Sequence, residues 1–194
     1  LTAILGWTRL IRGGTLGPEE TARALGVIER NADAQNRLVA DLLDISRTMT
    51  GKIRIQPAPM DLAGVIDAAV EGVRPAAAAK QIAVDVALDR TGAAITGDAD
   101  RLQQVVWNLL TNAVKFTPRN GVVHVRLRAV DSDLEIVVED DGDGIPPEFL
   151  PHVFDIFRQS DATISRRHGG LGLGLSIAKH IVELHVGSIH AASP

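Results

Sequence analysis

A stretch of about 30 residues beginning at Pro18 carries Leu25, Ile28, Ala32, Gln35, Val39 and Leu42 at alternating spacings of three and four, the seam of a helix that packs on other helices. Leu38, Ile45 and Met49 widen the stripe. Pro18 and Glu19 suit the first turn of such a helix, where a missing N–H is harmless and a carboxylate meets the positive end of the dipole. Upstream, residues 1–12 read as the end of another helix carrying Ile4, Leu5 and Ile11, broken by Gly13, Gly14, Gly17 and Pro18. A long helix with so wide an apolar face does not stay alone in water, and one short partner does not cover it. Dimerisation of this hairpin into a four-helix bundle is the economical solution. The alternative is an intramolecular hairpin packed on the remainder of the chain.

The grammar changes after Gly51. Residues 51–61 carry two prolines and read as a connector with a short strand. Asp61 is placed to cap a helix running to about Ala79. Residues 82–88 alternate as a half-buried strand does, and residues 98–115 form an amphipathic helix. Two strands, 122–130 and 134–140, flank a turn at 131–133. A last helix covers 173–184, and 188–192 reads as the start of a strand, with one more strand expected beyond Pro194. Runs of strands mixed with helices in this order predict an α+β class, with helices covering one face of a mixed sheet. With 194 residues the chain is long enough for a small helical element, 1–51, and one ordinary domain, 52–194. Aromatic residues make up only 3% and tyrosine is absent, so Ala, Val, Leu and Ile must build the core.

The totals exclude several functions. A net charge of −4 gives no basic footprint for nucleic acid. The lack of cysteine excludes disulfides and thiolate metal sites. No apolar run approaches the roughly 18–20 residues that span a bilayer, and the first residues lack the pattern of a signal peptide. Any membrane segments of a longer parent protein are therefore expected outside this sequence, with this portion cytoplasmic and making no membrane contact.

Three clusters carry chemistry. Asn108, Asn112 and Lys115 are spaced four and three apart, on one face of the helix whose apolar face holds Leu102, Val105, Val106, Leu109, Leu110 and Ala113. Asparagine is a poor helix former, so two of them there are unusual. An amide oxygen suits Mg²⁺ and a lysine suits phosphate, although core-satisfied asparagines beside a surface lysine fit equally. Asp140-Asp141-Gly142-Asp143-Gly144-Ile145 ends an apolar strand. A carboxylate there should be partly buried and require a donor such as an adenine amine, and the glycines admit a flat base. A plain Asp/Gly turn is the alternative, with a calcium loop disfavoured by its missing ligand alternation. Gly170-Leu-Gly172-Leu-Gly174 leads into the last helix and can aim backbone N–H groups at an anion, or serve as a hinge. Before it, the polar segment 155–168 with Arg158, Arg166, Arg167 and His168 reads as a lid over phosphates or as a solvated loop.

In this order and spacing the clusters resemble the nucleotide-binding boxes of the histidine kinase, gyrase and chaperone ATPase superfamily. Asn108-Leu-Leu-Thr-Asn112-Ala-Val-Lys115-Phe116 resembles the asparagine box, Asp140-Asp-Gly142-Asp-Gly144 the first glycine box, Phe154-Asp-Ile-Phe157 the phenylalanine box, and Gly170-Leu-Gly172-Leu-Gly174 the second glycine box. Leu1-Thr-Ala-Ile-Leu-Gly6-Trp resembles the residues just after the phosphoacceptor histidine in the dimerisation helix of sensor histidine kinases. The resemblance implies a dimerisation and histidine-phosphotransfer hairpin leading into an ATP-binding α/β sandwich. Asn112 would ligate Mg²⁺ with Asn108 beside it, and Lys115 would meet the phosphates of ATP. Asp140 would bind the adenine amine, Gly142 and Gly144 would line the base, and Gly170, Gly172 and Gly174 would wrap the triphosphate. Phe157 and Arg158 would belong to the lid. The implied reaction is in-line transfer of the γ-phosphoryl group to a histidine, for relay to the receiver domain of a response regulator.

The resemblance also implies departures. The acceptor histidine and the phosphatase threonine would precede Leu1, and none of His124, His152, His168, His180, His185 or His190 has a matching context. Hydrolysing branches place a glutamate where Asn108 stands. Val186 stands where many relatives have glycine. Two other classes are weighed beside the kinase: a nucleotide-sensing or dimerisation module without transferase activity, and an ATPase of the gyrase or chaperone type.

Overall fold

A computed structural model describes residues 2–14, 16–49, 54–158 and 172–193. The chain divides into two compact units, Leu1–Gly51 and Lys52–Pro194.

In the first unit, α1 (Thr2–Arg12) and α2 (Pro18–Met49) form a helical hairpin. Glu20 reaches back to the Gly17 N–H at 3.2 Å, so a first-turn carboxylate closes the helix start. Ala24 is fully buried against the hairpin, whereas Leu5 and Leu10 on α1 and Leu25, Val39 and Leu43 on α2 are exposed. Ile28, Ala32 and Gln35 of the predicted seam are half-buried. The side chains of Leu38, Leu42, Ile45 and Met49 lie outside the described ones.

The second unit runs β1 (Ala58–Asp61), α3 (Leu62–Ala79), β2 (Ala83–Leu88), β3 (Ala94–Gly97), α4 (Ala99–Phe116), β4 (Val122–Val130), β5 (Asp133–Asp140), a 3₁₀ turn at Leu150–His152 and α5 (Gly174–Leu184). Asp61 caps α3, accepting from the N–H groups of Ala63 and Gly64, and Asp98 caps α4 through the Arg101 N–H. In the larger sheet β4 is central, parallel to β2 and antiparallel to β5. β1 and β3 form a separate antiparallel pair.

Alternation along the three-stranded sheet explains its sidedness. Val123, Val125 and Leu127 are buried, with Val84, Val86, Leu134, Ile136 and Val138 beside them under α3 and α4. On the opposite face His124 meets Asp85 at 3.0 Å, Arg126 meets Glu139 at 2.6 Å, and Arg128 pairs with Glu135. One apolar and one charged face is the expected pattern of a sheet packed on helices from one side only.

The expected strand at 188–192 does not form; residues 187–193 carry no regular structure. Its Ile-His-Ala pattern suits a strand, but a strand needs a neighbour's ladder. This segment is instead tied by a side chain: Ser193 Oγ accepts from the Ile145 N–H at 2.9 Å.

Candidate nucleotide-binding site

The helix α4 organises the site. Asp98 starts it, and Leu102, Val106, Leu110, Ala113 and Val114 bury one face in the core, so Asn108, Asn112 and Lys115 must emerge on another. Asn108 and Asn112 are both half-buried. Asn108 Nδ2 donates to the Gly174 carbonyl at 2.9 Å, which ties the asparagine helix to the start of α5. Its oxygen, at 3.5 Å from the position a Gly174 Cβ would take, is left out of that bond. Lys115 Nζ stands 4.7 Å above the Phe116 ring, and burial pushes its pKa below the ordinary lysine value.

The loop after β5 closes on the other end of α4. A Cβ on Gly142 would lie 2.9 Å from the Phe116 carbonyl oxygen and 2.6 Å from Asp140 Oδ1, so only glycine permits the approach. Gly144 has φ +72°, and a Cβ there would meet Ser193 Oγ at 2.8 Å. Asp140 corrects one expectation: it is exposed, not partly buried. It stands at the last position of β5, beyond the covering helices, and finds its donor locally in the Gly142 N–H at 3.0 Å. Its neighbour Asp141 accepts from the Val122 N–H at 3.0 Å and fixes the loop to the start of β4.

The asparagine helix, the first glycine loop and the start of α5 therefore meet around α4. Gly172, with φ +69°, stands two residues before α5, and Gly170 lies outside the described residues, as do Arg166, Arg167 and His168. Phe157 is 60% exposed with φ +63°, and the Arg158 guanidinium turns to Asp155 at 3.6 Å, where His152 also bonds at 2.9 Å.

Sequence reasoning missed two residues that build the site. Lys80 Nζ donates to the carbonyls of Val114, Lys115 and Thr117 at the end of α4. Ser193 holds the first glycine loop. Neither contact has a local signal, because each joins segments far apart in the chain. Among the described residues no cluster of three His, Asp or Glu side chains offers a metal site. Likewise, no helix there is long and apolar enough to cross a membrane.

A helix bearing two amides and a lysine, flanked by two glycine turns on a one-sided sheet, defines a class of nucleotide-binding α/β sandwich. The histidine kinase-, DNA gyrase B- and HSP90-like ATPase family model matches residues 97–194, and the chain belongs to this family. Within it, the relatives mark the sensor histidine kinase branch. The hybrid signal transduction histidine kinase D of Dictyostelium discoideum is 35% identical, covering 100% of this chain and 15% of that protein. The signal transduction histidine-protein kinase BarA of Escherichia coli K12 is 35% identical, covering 97% of this chain and 21% of that protein. The structure of full-length ShkA in complex with AMPPNP superposes with a TM-score of 0.72 at 28% identity, over 99% of this chain and 41% of that one. The chain thus spans about a fifth or less of the length of these two curated relatives. Family membership makes the matched segment an ATP-binding domain, and its histidine kinase relatives are transferases.

Proposed function

We propose that this chain is the ATP-binding catalytic core of a two-component sensor histidine kinase, which transfers the γ-phosphoryl group of ATP to a histidine outside this sequence. The observation that carries the proposal is the convergence on α4: Asn108 bonded to Gly174 at its middle, the Phe116 carbonyl against Gly142 at its end. ShkA, solved with AMPPNP, supports a nucleoside triphosphate as the ligand.

In this reading Asn112 ligates Mg²⁺, Asn108 stands beside it, and Lys115 meets the phosphates. An incomplete set of protein ligands fits Mg²⁺, which keeps waters and shares its coordination with substrate phosphates. The bound ion supplies charge neutralisation. Lys115, half-buried, gains from an approaching phosphate. The exposed carboxylate of Asp140 accepts the adenine amine, with Gly142 and Gly144 along the base. Gly170, Gly172 and Gly174 carry backbone N–H groups to the triphosphate, and Phe157 and Arg158 belong to the lid. The acceptor's imidazole nitrogen attacks in line and the bond from γ-phosphorus to the ADP oxygen breaks. With Asn108 where hydrolysing relatives hold glutamate, that position offers water no carboxylate base, which favours transfer over hydrolysis.

The unit Leu1–Gly51 is the dimerisation and phosphotransfer hairpin, and the unit Lys52–Pro194 the catalytic domain. The exposed Leu5, Leu10, Leu25, Val39 and Leu43 support a homodimer through the hairpin. A response regulator receiver domain takes the phosphoryl group next, and the reaction takes place in the cytoplasm.

Calorimetric titration of a non-hydrolysable ATP analogue with Mg²⁺ tests the site. Asp140→Asn should weaken binding about 10-fold or more, since a charge-assisted bond is worth roughly 1.5–3 kcal/mol. Unchanged affinity removes the adenine role from Asp140, and no binding to the folded parent chain overturns the catalytic-domain reading.

A further inference from the structure

The end of α4 carries Asn112, Lys115 and Phe116, and its open carbonyls are satisfied by the residue that caps α3. Lys80, just past the end of α3, donates from Nζ to the carbonyls of Val114 at 2.8 Å, Lys115 at 2.9 Å and Thr117 at 2.8 Å. An ammonium has three protons, so every donor is engaged. The Lys80 backbone is fixed as well: its N–H donates to the Ala77 carbonyl at 3.0 Å and its carbonyl accepts from Asn120 at 3.3 Å. The negative end of α4 thus meets a cation carried by the residue that caps α3.

The clamped segment abuts the first glycine loop directly. Phe116, between two of the carbonyls that Lys80 holds, places its own carbonyl where Gly142 must lack a Cβ. At the far side of the same turn, a Cβ on Gly121 would stand 2.5 Å from Asp141 Oδ1, and Asp141 holds the Val122 N–H. A shift of the α4 terminus therefore has no slack before it moves residues 140–142.

We propose that Lys80 is a positioning residue for nucleotide binding, whose ammonium locks the end of the asparagine helix against the first glycine loop. The proposal rests on the nucleotide-site reading above. Without the clamp, three carbonyls turn to water, Lys115 and Asn112 lose their fixed spacing from Asp140, and the bound ligand must order them itself.

The test compares Lys80→Met, which keeps the apolar stem, with Val70→Ala, a core truncation in α3 remote from these contacts. Both are measured well below their melting temperatures, where each is fully folded. The readouts are Kd for a non-hydrolysable ATP analogue with Mg²⁺ and amide hydrogen exchange at Thr117, Asp141 and Gly142. Lys80→Met is expected to weaken binding about 5- to 10-fold and to speed exchange at those three amides, as loss of hydrogen bonds to a charged donor implies. Val70→Ala is expected to leave affinity and that local exchange at parental levels. Parental affinity in Lys80→Met overturns the proposal, as does an equal affinity loss in Val70→Ala. If the parent chain binds no nucleotide, the site reading falls, and the exchange comparison alone decides whether Lys80 orders the loop. Should Lys80→Met fail to fold, Lys80→Gln, with a shorter neutral donor, is judged by the same criteria.

Discussion

Val186 follows α5 in the left-handed region, with φ +61° and 95% exposure. Its N–H donates to the Glu183 carbonyl and that of Gly187 to the Val182 carbonyl, each at 3.0 Å, the bond pattern of a Schellman termination. That motif wants glycine where Val186 stands, because a Cβ in this conformation costs about 1–2 kcal/mol. Part of the gain from replacement is offset by glycine's freedom in the unfolded chain, about 0.4–1 kcal/mol. Val186→Gly should therefore stabilise the chain by about 0.5–1 kcal/mol, a rise of a few degrees in Tm by calorimetry. An unchanged or lower Tm shows that the left-handed valine is unstrained. Asp98 is the second informative residue. Its carboxylate accepts from Gln56 and Arg101, while its own N–H donates to His185 Nε2 at 3.0 Å. Burial works to raise its pKa, but the two N–H bonds, with Arg101 and His185 nearby, bring it below the ordinary value. A depressed folded pKa contributes stability that is full above the unfolded value, about 3.9, and lost as pH falls through the folded one. The gap in urea midpoint between parent and Asp98→Asn should accordingly be wider at pH 7 than at pH 3. Equal gaps at both pH values remove the linkage.

At the level of elements, short-range patterns were legible and cross-chain contacts were not. The cap at Asp61, the strands expected at 122–130 and 134–140 and the last helix all follow from local chemistry, and the structure has them, the second strand starting one residue earlier at Asp133. The four-residue β3 was not read, because Ala94–Gly97 has no pattern of its own and exists through pairing with β1. The segment 188–192 shows the reverse, a strand pattern without a partner. The same division holds at the site: the sequence motifs give Asn108 and Gly142, but the burial of Asp140 depended on where its strand ended relative to the covering helices. The α3–α4 packing makes the point testable. A Cβ on Gly72 would lie 2.3 Å from the Trp107 ring. In an open helix interior, glycine to alanine gains about 1 kcal/mol. Here the rigid indole must move, and overpacking of that kind costs typically 1–3 kcal/mol. Gly72→Ala should thus lower stability by about 1 kcal/mol on chemical denaturation, whereas a stabilised variant shows that Trp107 yields freely.

Across the whole molecule, the two units answer to different needs for burial. Among the described residues, the core cluster of the second unit runs from Leu62 to Leu127. The hairpin has one fully buried side chain among those described, Ala24, and leaves Leu25 at 53% and Val39 at 57% exposure. In the proposed homodimer a second copy of the hairpin covers this stripe by two-fold association. In the proposed function the nucleotide contacts, by contrast, come from the second unit, so association and binding should separate. The double variant Leu25→Glu/Val39→Glu places like charges across the seam of a symmetric pair, where they repel while both are buried. On the proposed hairpin dimer, the double variant should sediment as a monomer beside a dimeric parent, with its affinity for a non-hydrolysable ATP analogue within about twofold of the parent, the additivity expected of independent sites. A double variant that remains dimeric moves the interface off this stripe. One that becomes monomeric and loses affinity makes the second unit's site dependent on the hairpin, against the independence proposed for it.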